Sequence, residues 1–450
     1  KRLNRDLNFL RVKKYLEDDE YIFGFATNGK LIFVLKKDTP DSENGVVKYL
    51  YDNQSLKEIG YVEGKKLNFS GKVQFFDEEG VLRSETQHYK GKLEGLEKIF
   101  SGDGKLEEER VYKNDLIDGE EIYYYDNGKI AQKNQYIAGK KDGKSIIYHE
   151  NGNISIEINY RNDKKDGEYI AYYENGKKKQ EGYLKNGELD GITKIYYESG
   201  KIRQIAHNKN DKKDGTIVRY YENGNPEHEW NYKNDILEGV DLEYYESGKV
   251  KTRMFYKDGK AQGEILSFYE NGRIKEKAYY KDDMLEGKFT TYFKDSKIEE
   301  EYNYKDGKLE GEYKIYYENG NLQEVGNYKD NKLEGKSLTY YESGKLDGEF
   351  NYIQDELNGS YKNYYENGNL KRSGVYKNGE IEGEAFFYLE DGKIGEKAFF
   401  IDGKVEGDYL FYDKTGKIIK KETYKNGNLL STEEFEKVEE DKNESEGIKN

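Results

Sequence analysis

A glycine returns every 24 residues, fifteen times without insertion or deletion, from Gly71, Gly95 and Gly119 through to Gly407. Independent loops do not hold such a register. A structure in which each unit packs on its neighbours does, and self-similarity at a fixed period is the signature of a repeat array. With that glycine as position 0, position 5 is aromatic in all fifteen units, from Phe76 to Tyr412. Position 9 is glycine in fourteen, with Ser296 the exception. Position 11 is aliphatic in thirteen, Lys178 and Pro226 departing, and position 17 is Tyr or Phe in twelve. Position 20 is always Gly, Asp or Asn.

These residues spell two strands and two turns. Glu-Asn-Gly or Glu-Ser-Gly near position 9, and Lys-Asn-Gly or Lys-Asp-Gly near position 20, tolerate the positive φ that tight hairpins need. The stretches between them are rich in aromatic and branched residues and have ordinary strand length. A glycine pair in every repeat breaks any helical period. Positions 11 and 17 are six apart, so an unbroken strand would put them on one side. Position 0 falls inside a strand, where glycine marks a bulge or a close approach. The expected fold is all-β: an elongated, single-layer antiparallel meander of about fifteen hairpin repeats, roughly 10 Å per repeat.

Composition sharpens this. Of 450 residues, 34% are hydrophobic and 37% charged, which alone would suggest disorder, but there are 46 Tyr, 49 Gly and only 2 Pro. Tyrosine covers half-wet surface with an apolar ring and a polar tip. The net charge of -15 argues against nucleic acid and against an anionic membrane, both of which attract basic surfaces. No apolar run approaches 18 residues. Cysteine is absent, which excludes disulfides and thiolate metal sites. The sequence begins at Lys1 rather than Met, consistent with a removed signal peptide, and an extracellular, cell-surface or periplasmic place is favoured over the cytoplasm.

The segment Gly311-Glu-Tyr-Lys-Ile-Tyr-Tyr-Glu-Asn-Gly-Asn-Leu322, followed by Tyr328 and Leu333-Glu334-Gly335, resembles the bacterial variant of the MORN repeat, the antitoxin-like repeat. The likeness covers roughly residues 45 to 431. It implies antiparallel hairpins in an extended sheet, used as a scaffold or binding module.

The ends are atypical, as caps on a stack are expected to be. Residues 1–44 read as an N-terminal cap: Leu3, Leu7 and Leu10 at helical spacing within 1–18, then a hairpin over Tyr21 to Lys37 around Asn28-Gly29. Residues 45–70 form a degenerate repeat in which Gln54 replaces the turn glycine. The tandem array runs over 71–431, and 432–450 reads as an acidic, disordered tail.

Chemistry is sparse. His88, His149, His207 and His228 fall at four different repeat positions, so they build no repeated metal or acid–base set. Acidic residues before the repeat glycine, such as Glu94, Asp118 and Asp142, form a row that could attract Ca²⁺. Calcium loops, however, converge several oxygens in one loop, and solubilising charge beside a turn is the favoured reading. Neither a Walker-type phosphate loop, Gly-x4-Gly-Lys-Ser/Thr, nor a nucleophile elbow occurs, so no catalytic residue, cofactor or metal is expected. One irregular stretch stands out. Position 22, usually Leu or Ile, is lysine at Lys141, Lys165 and Lys213, and His228 and Trp230 (the sole tryptophan) follow Pro226. These five residues are the candidate partner contacts. The leading functional class is a non-enzymatic scaffold for a protein partner, in surface adhesion or toxin neutralisation; the alternative is a glycan- or cell-wall-binding array.

Overall fold

The computed structural model describes residues 14–42, 44–64 and 68–435, and every regular element among them is a β-strand. Contacts group the chain into two units, Lys1–Pro226 with Tyr232–Asp235, and Glu227–Asn231 with Ile236–Asn450. Each unit is an antiparallel meander of hairpin repeats.

The repeat from Gly311 shows the local logic. Its outgoing strand Gly311–Tyr316 pairs with the return strand Leu322–Lys329, which pairs in turn with Lys332–Leu333 and Gly335–Tyr340 of the next repeat. The first turn closes by Gly320 N–H donating to Tyr317 O (2.8 Å) and Tyr317 N–H to Asn321 O (2.9 Å). Gly320 sits at φ +96°, the left-handed residue of a three-residue hairpin loop. The second turn has both central residues left-handed, Asp330 at +49° and Asn331 at +68°, as a type I′ turn requires. At position 0 every glycine has the positive φ of a bulge, and some in the first unit have a close approach as well, a Cβ on Gly119 lying 3.0 Å from Val111 Cβ. Gly335 has φ +81°, yet a Cβ added there would meet nothing within 4 Å. Backbone conformation, and not space, requires that glycine.

A second irregularity corrects an expectation. Tyr316 pairs with Leu322, but its neighbour Ile315 pairs with Glu324, so one residue of the return strand is extra. Cross-strand partners share a face. Position 11 therefore lies with position 5, opposite position 17, because the bulge at position 12 inverts the alternation. Within each unit, positions 2, 4, 13, 15, 17 and 22 form one face, called here the tyrosine face. Positions 1, 3, 5, 14 and 16 form the other.

The core runs along the tyrosine face as a column of paired positions 2 and 15. Tyr313 (3% exposed) opposes Gly326, Tyr361 opposes Gly374, and Ala385 opposes Ala398. A Cβ on Gly326 would lie 2.7 Å from Tyr313 Cε1. In the Tyr–Gly pairs the ring takes the space of the missing side chain, and a position-17 ring leans over it, Tyr328 on Tyr313 at 4.9 Å between centroids.

At the N-terminus the strands Tyr21–Phe25 and Leu31–Lys37 form the expected hairpin. Phe33, Leu35, Val47, Tyr49 and Val62 make a conventional apolar core beneath it. The expected helix over 1–18 is a strand where it is described: Lys14–Glu17 pairs with Tyr21–Phe25, since its residues extend the sheet edge. Leu3, Leu7 and Leu10 lie outside the described residues. At the other end the strand Asn428–Glu434 continues past residue 432, and 436–450 lie outside the described residues.

Candidate partner-binding surfaces

Side chains at position 16 show what the sheet offers to a partner. The bulge at position 0 turns the position-1 carbonyl of the following repeat toward position 16. Asparagine there satisfies it: Asn303 Nδ2 donates to Glu312 O at 2.6 Å, Asn351 to Ser360 O at 2.7 Å, and Asn159 to Glu168 O at 2.9 Å. At five other repeats position 16 is apolar or aromatic and the side chain stands out instead. Tyr183 is 44% exposed, Phe255 41%, Tyr279 49%, Val375 45% and Phe399 44%. A shallow depression beside Tyr279 is lined by Glu264, Lys277, Glu286 and Lys288.

The lysine row lies in the first unit. Lys141, Lys165 and Lys213 pair with Tyr136, Tyr160 and Asn208, which places all three on the tyrosine face. Lys141 Nζ sits over two rings, Tyr136 at 5.9 Å and Tyr160 at 5.5 Å, and Lys213 Nζ lies 4.8 Å from the Tyr232 centroid. Here the ammonium stem takes the packing place of the usual leucine while keeping a cation–π contact. Lys165 and Lys213 are exposed.

His228 and Trp230 belong to the second unit and are brought together. Their rings stack at 4.0 Å and 15°, and His228 Nε2 lies 2.6 Å from Asp241 Oδ1. Burial pushes the Asp241 carboxyl up, against the pull of the histidine. Two of the other histidines do the work of the residue they replace. His149, in place of the position-6 tyrosine, faces Tyr172 O at 3.3 Å, and His207, in place of the position-16 asparagine, faces Thr216 O at 2.7 Å.

Two repeated devices escape sequence reasoning. The position-6 tyrosine donates its hydroxyl to a carbonyl of the next repeat, as Tyr317 does to Tyr340 O (2.9 Å) and Tyr173 to Tyr196 O (2.7 Å). The acidic row before the repeat glycine also has a partner. Glu310 accepts from Asp330 N–H at 3.0 Å, and Glu94 from Asn114 N–H at 2.9 Å, fixing the type I′ turn that follows. Among the described residues, no cluster of three or more acidic, His or Cys side chains is arranged to hold a metal. The only sequence signal for either device is its recurrence at a fixed position.

The repeat that these contacts define matches a known family along most of its length. The MORN repeat variant model fits fourteen segments, from 69–90 through 357–378 and again at 405–426. The chain belongs to the MORN repeat variant family. No curated protein matches this MORN repeat chain. Similar solved structures include TcdB2-TccC3, at 11% identity over 89% of this chain and 28% of that one, with a TM-score of 0.14. The Photorhabdus luminescens Tc holotoxin pore matches at 11% identity over 89% of this chain and 27% of that one, also with a TM-score of 0.14. The MORN repeat chain thus spans little more than a quarter of the structures it matches.

Proposed function

We propose that this MORN repeat protein is a non-enzymatic scaffold that binds another protein through the face opposite its tyrosine face. One observation carries the reading. At position 16 the chain alternates between asparagines tied to its own backbone and rings or aliphatics left in solvent. Exposed large apolar side chains that recur at one register position mark an interaction surface. The basic row of Lys165 and Lys213, with the partly engaged Lys141, lies on the tyrosine face of the first unit and would be a separate contact there, for acidic groups of a partner. The His228–Trp230 stack of the second unit, at positions 13 and 15, likewise lies on the tyrosine face and is separate from the position-16 surface. Surface adhesion and the neutralisation of a bacterial toxin are both uses of a scaffold of this kind.

The chain itself supplies the test. Phe255, Tyr279 and Phe399 replaced together by Asn, the residue of sister repeats, should leave the urea midpoint close to the original. The same variant should lose capture of proteins from an extract of the source cell, read by cross-linking and mass spectrometry. Equal capture by both proteins sinks the reading, and a glycan-array signal lost in the variant would replace it with the carbohydrate-binding one.

A further inference from the structure

On the second unit, the tyrosine face between Gly263 and Leu357 differs from the rest. A cross-strand column runs Ser267, Glu276, Thr291, Glu300, Ile315, Glu324, each paired with the next. Glutamate thus recurs in three successive repeats, while positions 2, 4, 13, 15, 17 and 22 over this stretch hold no Lys or Arg. The lysines of these repeats are spent on the other face, where Lys277 pairs with Glu264, Lys288 with Glu301 and Lys336 with Glu349. Glu276, Glu300 and Glu324 are half-buried, and none makes an ion pair among the described residues. Burial, with Glu299 adding to it, pushes the Glu300 carboxyl up. The hydroxyls of Ser267 and Thr291, which flank Glu276, are buried and have no hydrogen-bond partner. A half-buried carboxylate without a cation is costly, and the cost is relieved when a cation arrives.

The first unit shows what occupies such a place. There Arg110, at position 15, lies 2.5 Å from Glu108, 3.3 Å from Glu121 and 3.8 Å from Glu97. Tyr112 and Tyr123 are its further neighbours. The carboxylates come from positions 2 and 13 of the same face. We propose that the tyrosine face of the second unit, along Glu276, Glu300 and Glu324, binds an extended segment of a partner protein that supplies the arginines missing there. Guanidinium suits the site better than ammonium, because it stacks on tyrosine rings while pairing with a carboxylate. Successive glutamates are two strands apart, about 10 Å, which is close to three residues of an extended chain. The segment therefore carries arginine at about every third residue. The inference rests on the scaffold reading only in taking the partner to be a protein, and it concerns the opposite face from position 16.

The test uses the full chain and a fluorescent peptide with three arginines, each separated by two small neutral residues. Fluorescence anisotropy at low salt should show binding, and the citrulline version of the peptide should not bind. E276Q/E300Q/E324Q should weaken binding by about tenfold or more. Removing three exposed loop carboxylates instead, E318Q/E342Q/E366Q, should change it far less. Circular dichroism checks that both variants fold, and the citrulline arm reads the proposal even where a variant does not. Equal loss in the two variants would mean diffuse charge attraction and would overturn the proposal, as would no binding at millimolar peptide. Spermidine binding as tightly as the peptide would make this a polyamine site and overturn it too. The position-16 Asn variant should bind the peptide like the original chain, so failure here leaves the reading of the other face standing.

Discussion

At position 9, Ser296 has to do a glycine's work. It adopts φ +77° and its N–H donates to Phe293 O at 2.9 Å, so the turn closes as in the other repeats. A left-handed residue with a Cβ costs about 1–2 kcal/mol, part of which glycine gives back through its freer unfolded chain. Ser296→Gly should therefore stabilise by about 0.5–1 kcal/mol. A urea midpoint that stays put or falls would show that the Ser296 turn is not strained. Gln54, at φ +69° in the degenerate repeat, is a second case of the same geometry. Residues of this kind mark where the array tolerates strain because the strand ladders on either side hold the turn closed.

Between strands, stability depends on pairs rather than on single residues. Tyr313 and Gly326 fill one slot of the buried column, and sister repeats fill it with Ala385 and Ala398. Gly326→Ala drives a Cβ into the ring and should cost about 1–3 kcal/mol. In a Tyr313→Ala background the same change meets no ring and gains the strand preference of alanine over glycine, about 0.5–1 kcal/mol. The two measurements form a double-mutant cycle with a coupling of opposite sign to either single cost. Additive effects would mean that the ring moves aside freely and the slot is not close-packed. This pairing also explains why the column is hard to see in the sequence. Its members include Ser, Thr, Asp, Glu, Tyr and Gly, and its pairs run from Ala385–Ala398 to Phe289–Tyr302, so no residue type marks the column.

Among the described residues, side-chain hydrogen bonds reach no further than 25 residues along the sequence, from Tyr51 to Phe76 O and from Asn53 to Glu78 O. Tyrosine at position 6, asparagine at position 8 and the acid at position 23 all bond to the next repeat. Stability of such an array is a sum of repeat and nearest-neighbour contributions. Deleting residues 288–311 joins two equivalent positions and should leave a folded protein with a slightly lower thermal midpoint. Deleting 288–299 joins dissimilar half-repeats, leaves tyrosine and acid facing wrong partners, and should abolish folding of the second unit. Similar far-UV spectra and midpoints for the two deletions would contradict nearest-neighbour coupling.

The sequence by itself determined the repeat, its 24-residue period, the strand class and both turns. Those depend on local φ preferences of Gly, Asn and Asp, which a residue carries wherever it is placed. Side-chain placement needed the folded register. The bulge at position 12 sends Leu322 and Tyr328 to opposite faces, although their spacing predicts one side. Nothing local distinguishes the exposed Phe255 from a core ring, because its exposure follows from standing opposite the packed column. The acid before each repeat glycine reads as loose surface charge until the next turn, 20 residues on, brings its amide to the carboxylate. Burial, exposure and hydrogen-bond role are properties of cross-strand partners, and the partner's identity is decided by pairing register, which tertiary structure alone supplies.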